Sequence, residues 1–458
     1  MVTKQETRML NGGLTTEFSR FVFPSVFGML AISSASVIDG IFIGNFVGAT
    51  ALASVILVMP LLAFAFGVLI MVSLGAAVVS GKYLGEGDIN EASNMFSKAG
   101  ILATLVMATI GALTLILPEQ IVAALGAKGE TIALSARYLW VIAWFFPAFA
   151  VAVLLSQFAR VDGRPGISFL AMMSITVVNI AFDFIMVAWL DWGLTGAALA
   201  TGLAYLTGAL IPLVHFLGPR AKLAMIRPYG TWYVLVRSTF NGFSEFLNET
   251  SSGLVLLLFN WILITQVGTL GVASFAIVDY IIYFGILIFY GVAEGIVPLI
   301  SVNFGGRKPD RILRFLILGV GFSTLIGAGL MALLLIWPEK LIGVFLRDAE
   351  LEIQIFAVSI ITIIWPVFIF SGANITISAY FTGMHRAIQS STIAIVRSLI
   401  LPVCLILLFW NWFGVMGAFY ALPVAEGLTF ILSVSLLYST LPGKLMASTP
   451  PHTDGSAA

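Results

Sequence analysis

The stretch from Phe18 to Gly44 reads FSRFVFPSVFGMLAISSASVIDGIFIG. It is longer and more apolar than a typical helix of a soluble protein, and about 20 such residues suffice to span a bilayer. It also contains Pro24 near its start and Asp39 near its end. A carboxylate at membrane depth costs roughly 2.5–3.5 kcal/mol on insertion scales, so a sequence keeps one only where it has a use. The stretch therefore predicts a membrane span and marks Asp39 as a candidate site residue.

The composition of the whole chain is that of an integral membrane protein. Of its 458 residues, 60% are hydrophobic and 10% are charged, and the mean hydropathy is +1.07. An ordinary soluble chain is about 25% charged. The 22 basic and 22 acidic side chains cancel, so a nucleic-acid surface is not expected. The single Cys404 and three scattered histidines predict no disulfide within the chain, no metal motif of their own and no cofactor beyond a coupling ion.

Charge clusters and turn residues divide the chain into twelve apolar segments. With a cytoplasmic N-terminus, seventeen Lys and Arg side chains fall inside and four outside, as the positive-inside rule requires. We therefore expect a multi-pass protein of a bacterial or archaeal cytoplasmic (inner) membrane with both termini in the cytoplasm. The segments are 17–44, 50–80, 91–116, 131–158, 166–189, 194–217, 236–265, 271–301, 311–336, 350–381, 387–409 and 415–440.

The second half of the chain repeats the first. Val47–Ser54 is similar to Val267–Ser274, and Pro118 with the next residue recurs at Pro338, at an offset near 220 residues. Two copies of six spans predict an all-α integral membrane fold, in which two six-helix bundles are related by a pseudo-twofold axis along the membrane normal. The predicted units are an N-terminal lobe at 1–217, a cytoplasmic linker at 218–235, a C-terminal lobe at 236–441 and a disordered tail at 442–458.

Polar residues of the first half fall at one depth of the membrane. At 1.5 Å per helical residue, Asp39 and Asp183 come out roughly 8 and 9 Å below the outer surface. Carboxylate, amide and hydroxyl oxygens are ligands for a hard cation, and two close carboxylates can instead share one proton. These residues predict a site for Na⁺ or H⁺, although they could serve only to hydrogen-bond helices together. The candidate cation ligands are Asp39, Asn179, Asp183, Thr201 and the backbone oxygen of Ala197, with Tyr138 in the adjoining network.

With these residues in place, the chain resembles the multidrug and toxic compound extrusion (MATE) transporters, on their DinF-like side. The resemblance covers all twelve spans and includes Ile38–Gly44, the Asn179 and Asp183 pair, Gly196–Thr201 and the Pro298–Gly305 end of the eighth span. It implies that the family's first-lobe cation site matches the ligands named above. It also implies a bend of the first span at Pro24 when its acid is protonated, whereas a passive proline kink is the alternative.

The acids of the second half occupy other positions, so the first-lobe site was not duplicated. NorM-like members of the family use acids on the seventh and tenth spans, but Ser371–Tyr380 of the tenth span is neutral here. A cleft for cationic aromatic compounds would combine acids with a soft apolar wall. Burial as neutral acids is the alternative. The candidate substrate or second-lobe contacts are Glu245, Glu249, Glu294, Asp279, Met173 and Tyr280, with Glu426, Phe146, Met172, Phe243, Phe259 and Tyr283 as further possibilities.

Taken together, the sequence predicts a monomeric secondary active multidrug exporter and not an enzyme. It would exchange H⁺ or Na⁺ at Asp39 and Asp183 for small organic compounds, often cationic and aromatic, by rocker-switch alternating access within membrane lipid. The alternative is a flippase of lipid-linked precursors, which would favour a cationic cleft over the mainly acidic one expected here.

Overall fold

The computed structural model describes residues 4–345 and 351–443, and in these residues the chain is helical without β-strands. The predicted tail lies almost wholly outside them. These residues form twelve spans. Each of two bent helix pairs counts as one span, and the last long helix, Ala387–Ser439, counts as two because it is broken at Gly414, where φ is 71°. This confirms the predicted all-α membrane fold. The spans are α1 (Leu14–Val47), α2 (Ala49–Glu86), α3 (Ile89–Ile116), α4 (Glu130–Ala143 and Phe146–Val161), α5 (Pro165–Trp189), α6 (Gly193–Leu217), α7 (Tyr233–Gln266), α8 (Thr269–Gly305), α9 (Pro309–Ile336), α10 (Leu351–Ile364 and Val367–Gly383), α11 (387–413) and α12 (415–439); shorter helices lie at Lys4–Asn11, Pro118–Ala124 and Pro338–Phe345.

Two spans are broken at equivalent places in the two halves. α4 bends by 54° and α10 by 53°. Pro147 lies in the first turn after the bend of α4, and Pro366 directly precedes the second segment of α10. Proline causes such breaks because it lacks a backbone N–H and clashes with the preceding turn. The two prolines lie 219 residues apart, which matches the offset of the predicted duplication.

The buried apolar side chains form two clusters, one for each bundle. The first cluster contains residues between Ile43 and Leu235, and most of the second lies between Phe259 and Ala421. The second cluster also includes Phe18, Phe21 and other residues from the first half of α1. Helix α1 therefore packs with both bundles. The lobe boundaries at residues 217 and 236 stay a prediction.

The two bundles are closely packed at the end that contains the C-termini of α2 and α8. A Cβ atom at Gly85 would lie 2.0 Å from the carbonyl oxygen of Val302, so the two helices approach to a distance that only glycine permits. The hydroxyl of Ser301 donates a hydrogen bond of 2.6 Å to the carbonyl of Val78 across the same contact. Arg311 closes this end further, because its guanidinium donates to the Met9 carbonyl at 3.1 Å. This end is the one predicted to face the cytoplasm.

The packing of the bundles continues to about the middle of the membrane. Glycines of α8 contact the backbone of α1 at Val22 and Val26, and the Tyr283 hydroxyl lies within hydrogen-bonding reach of Ser33. Towards the opposite end, Tyr283 is 48% exposed although it belongs to a helix that faces the other bundle. We infer from this exposure that the contact between the bundles ends near this level and that a cleft lies on its outer side.

The predicted linker is fastened to the first lobe. Ser97 accepts a hydrogen bond of 2.9 Å from the Ile226 amide, and Lys98 donates one of 2.8 Å to the Thr231 carbonyl. The side chain of Asn94 accepts a hydrogen bond of 3.1 Å from the Tyr229 amide and donates one of 3.3 Å to the Tyr229 carbonyl. The first three turns of α3 thus satisfy backbone groups of an otherwise irregular segment.

Candidate cation and substrate sites

The two acids singled out in the first half lie near the outer ends of α1 and α5. Asp39 is 9% exposed and Asp183 is fully buried. In each helix a π-helical segment follows within five residues, at Ile43–Val47 in α1 and at Phe184–Trp189 in α5. A π-helical turn changes the direction of neighbouring side chains and backbone carbonyls, and such turns are frequent at functional sites.

The carboxyl groups of Asp39 and Asp183 face each other within hydrogen-bonding reach. They can hydrogen-bond directly only when one of them is protonated, because two carboxylates have no proton to donate. The Oδ1 atom of Asp39 and both carboxyl oxygens of Asp183 accept no hydrogen bond from the described residues. Two buried, mutually facing acids without donors cannot both be ionised at low cost unless a proton or a cation lies between them.

Neutral polar groups surround the acid pair. Asn179 donates a hydrogen bond of 3.4 Å from its amide to the Thr201 hydroxyl, and the Tyr138 hydroxyl lies within hydrogen-bonding reach of the same hydroxyl. Tyr138 is also close enough to Asp39 and Asp183 to interact with both electrostatically. Four helices therefore bring together the predicted polar set, and the predicted backbone ligand, Ala197, is buried one turn before Thr201 on α6.

The donor set has the chemistry of a site for a monovalent cation. It offers two carboxylates together with an amide and hydroxyl oxygens, which are hard ligands. In residues 4–345 and 351–443, no group of three or more His, Cys, Asp and Glu residues could hold a metal ion. A site with at most two formal negative charges suits Na⁺ or one proton better than a transition metal.

Pro24 lies inside α1, and the helix continues through it from Leu14 to Phe42. A proline at this place removes one backbone hydrogen bond and weakens the helix against bending. The predicted bend of α1 at Pro24 stays a prediction.

Among the acids of the second half, Glu249 and Glu245 lie on successive turns of α7. Glu249 is exposed, its Cβ approaches α2 at Gly67, and its carboxylate interacts electrostatically with Tyr205 of the first lobe. Glu245 accepts a hydrogen bond of 3.3 Å from Asn248 and borders a cavity of about 10 Å³, enough for roughly one water molecule. Glu249 is thus placed on the cleft side, and Glu245 is more enclosed.

Two other acids of the second half form ion pairs with arginines. Glu294 of α8 pairs with Arg160 of α4 at 3.2 Å, so this contact joins the two lobes. Glu426 of α12 pairs with Arg397 of α11 at 2.9 Å and also accepts a hydrogen bond of 2.8 Å from Asn374. Glu426 is therefore held in a network within one lobe, whereas Glu294 lies between the lobes.

The remaining candidates divide between the cleft and the cores. Tyr280 is 47% exposed, Asp279 and Met173 are half-buried, and Asp279 interacts electrostatically with Tyr283. By contrast, three of the expected wall residues are buried in the protein interior and do not line the cleft: Phe146, Met172 and Phe259.

The sequence interpretation did not find the pair of Arg160 and Glu294. Arg160 is one of the seventeen basic residues expected on the cytoplasmic side, but its side chain is 2% exposed. A usable signal was present, since Gln157 and Arg160 are polar residues one helical turn apart in an apolar segment. Gln157 donates a hydrogen bond of 3.3 Å to the second oxygen of Glu294.

Comparison with known proteins supports this architecture. The MatE family model matches residues 24–185 and 245–408, which together make up well over half of the chain. The chain belongs to the MatE family. The two matched stretches fall one in each half, which agrees with the duplication. Assignment to the DinF-like side of the family stays a prediction.

Relatives and solved structures cover nearly the whole chain. The multidrug export protein MepA of Staphylococcus saprophyticus is 28% identical over 428 residues, which is 91% of this chain and 92% of the relative. MepA of Staphylococcus aureus is 28% identical over 432 residues with the same coverage. A crystal structure of MATE in complex with MaL6 has a TM-score of 0.91 at 21% identity, covering 98% of this chain and all of that one. A multidrug resistance MATE family transporter in an outward-facing conformation has a TM-score of 0.88 at 20% identity, with 98% and 99% covered.

These similarities establish the fold and the class of protein. The MatE match places the chain among multi-pass membrane transporters and not among enzymes. At about 20% identity, the solved structures bear on the fold alone. Cation binding and cargo therefore have to be argued from the residues of this chain.

Proposed function

We propose that the chain is a secondary active multidrug exporter that exchanges H⁺ or Na⁺ for small organic compounds. The relatives named multidrug export proteins match the chain nearly end to end. The observation that carries the mechanism is the facing pair of Asp39 and Asp183, whose carboxyl oxygens lack donors among the described residues. A proton or a cation placed between them removes the charge repulsion, and its departure restores it.

The conformation described here corresponds to the outward-facing state of this cycle. The contacts between the lobes at the end predicted to be cytoplasmic support this assignment. Alternating access then requires those contacts to separate while the outer ends approach. We propose that the chain lies in the cytoplasmic membrane with both termini inside, because its basic loops fall on that side. We also propose that it acts as a monomer.

The charges along the cleft favour organic cations as cargo. Glu249 is exposed there, and Glu294 lies at the level where the lobes meet. Exposed aromatic rings at Tyr280 and Tyr283 offer flat faces to cationic, aromatic compounds. A flippase for pyrophosphate-linked lipids would need free basic groups in the cleft, whereas Arg160 is buried between the lobes and paired with Glu294.

The test is efflux of a fluorescent organic cation from proteoliposomes under separately imposed Na⁺ and pH gradients. We expect one of the gradients to drive export in the wild-type chain. Asp39→Asn and Asp183→Asn should each abolish the dependence on that gradient. Asp191→Asn is the matched control, because Asp191 is an exposed carboxylate just beyond the outer end of α5. Gradient-driven export that persists in Asp39→Asn would refute the proposed coupling site.

A further inference from the structure

Arg160 is a buried cation that connects the two lobes. Its side chain is 2% exposed, and its guanidinium is anchored within the first lobe by a hydrogen bond of 2.7 Å to the Ser168 hydroxyl. The other terminal nitrogen reaches Glu294 of the second lobe at 3.2 Å. Gln157, one turn before Arg160, donates to the other carboxylate oxygen of Glu294 at 3.3 Å. The first lobe therefore supplies both partners of this carboxylate.

The contact between Arg160 and Glu294 is a loose one. The Oε2 atom of Glu294 is buried and accepts no well-directed hydrogen bond from any described residue, although the guanidinium lies nearby. In the intralobe pair, by contrast, Arg397 donates to one oxygen of Glu426 at 2.9 Å and Asn374 donates to the other at 2.8 Å. A carboxylate whose cation is close but poorly aligned can exchange that cation at lower cost.

The position of the pair makes it dependent on the conformation of the protein. On the same helix as Glu294, Gly291 and Gly295 pack against Val26 and Val22 of α1, in the region where the lobes are in contact. If the lobes separate at this end, Ser168 keeps Arg160 with the first lobe while Glu294 moves with the second. Glu294 would then be a partly buried carboxylate without a counter-ion, which is strongly unfavourable.

We propose that Arg160 is a built-in competitor of cationic cargo at Glu294. When the lobes separate at the closed end, an organic cation takes the place of Arg160 beside the Glu294 carboxylate. When they close again, the guanidinium returns to Glu294 and displaces the cargo towards the open cleft. This inference rests on the proposed function, because it assumes that the chain exports organic cations. It assigns Arg160 as a specificity-determining residue that acts through Glu294.

Binding of two probes of similar shape tests the proposal. Tetraphenylphosphonium is permanently charged, and triphenylphosphine oxide is neutral. With the purified full-length chain in nanodiscs, we expect Arg160→Gln to raise the affinity for tetraphenylphosphonium by about fivefold or more, a typical coupling between two ligands. Affinity for triphenylphosphine oxide should not change. Glu294→Gln should weaken binding of the cation, and Arg160→Gln should add no gain in that background.

Two further variants guard against trivial outcomes. Arg160→Lys keeps the charge but cannot bridge Ser168 and Glu294 with a rigid fork, so it should give a smaller gain in cation affinity. It decides the question if Arg160→Gln fails to fold. Arg20→Gln is the control, since Arg20 binds Glu17 and the Gly163 carbonyl within the first lobe. It should leave the ratio of the two affinities unchanged.

The outcomes separate this inference from the proposed function. Equal cation affinity in wild-type, Arg160→Gln and Arg160→Lys proteins overturns the role of Arg160, and gradient-driven export by the wild-type chain would still support the exporter. An equal change for the charged and neutral probes also overturns it, because that pattern indicates a change of cleft shape and not of charge. If no organic cation is exported under either gradient, the proposed function fails as well.

Discussion

Replacing Gly295 with alanine should move the protein away from the conformation described here. A Cβ atom at this position would lie 2.7 Å from the Cα and 2.9 Å from the Cγ2 atom of Val22 on α1. Ordinary carbon contacts begin near 3.4 Å, so the shortfall is about 0.7 Å. The Cα atom belongs to a helix backbone and cannot rotate aside. Helices α1 and α8 must therefore separate locally.

The cost of this separation is that of overpacking a tight interface, about 1–3 kcal/mol. It applies only while α1 and α8 are in contact at this level. A conformation in which this end is open escapes the cost, so the population ratio of the two states should change by about 5- to 150-fold. Gly329→Ala is the matched control, because a Cβ atom at Gly329 on α9 meets nothing within 4 Å.

Pulsed electron paramagnetic resonance can measure this change. Cys404 is the single cysteine of the chain, so Cys404→Ser gives a background for spin labels. Labels at the exposed positions Lys128 and Gln266 report the separation of the two lobes at their outer ends. In Gly295→Ala we expect a new or larger population at short distance. A folded Gly295→Ala protein with the wild-type distance distribution would refute the reasoning.

Three further predictions concern stability. Burial, and secondarily the charge of Lys82, lowers the pKa of His385 to about 3. Between about pH 6.5 and 3 only the unfolded chain binds this proton, so the stability of the folded protein falls as the pH falls. His385→Gln should therefore reduce the loss of melting temperature between pH 7.5 and 5. Arg397→Met should cost about 3–5 kcal/mol by leaving the Glu426 carboxylate buried without a counter-ion, and adding Glu426→Leu should restore much of the melting temperature. Asn94→Ala removes two hydrogen bonds to the linker, so limited trypsin digestion should cleave the linker faster. Unchanged cleavage kinetics would show that Asn94 does not hold the linker against α3.

The membrane fold could be predicted because its signals are strong and local. Long apolar segments and basic loops define spans almost independently of tertiary structure. The sharp breaks in α4 and α10 were not predicted, although Pro147 and Pro366 mark both. Proline is also tolerated inside straighter spans such as α1 at Pro24, so its presence alone does not locate a break.

The convergence of Asp39 and Asp183 was also predictable, because a buried acid must find a partner and both fall at one depth. The partner of Glu294 was not predictable in the same way. Arg160 lies near a helix end, where an arginine usually extends to the membrane surface, and only the packing between lobes buries it. Part of the expected apolar wall was wrong for a similar reason, because Phe259 and Tyr283 look alike in sequence, but Phe259 is buried in the core and Tyr283 is 48% exposed.

Any link between the acid pair and the lobe interface has a direct physical route along α1. Asp39 lies near the outer end of this helix, and Val22 and Val26 near its other end contact α8. Between Val22 and Asp39, Pro24 lacks a backbone donor, and Ser33 and Ser34 donate their hydroxyls to the carbonyls four residues earlier, at 2.9 and 2.8 Å. Prolines and such serine bonds both favour bending of helices. A change in charge at Asp39 therefore acts on a helix that bends easily between the cation site and Val22, which is the contact that Gly295→Ala would disturb.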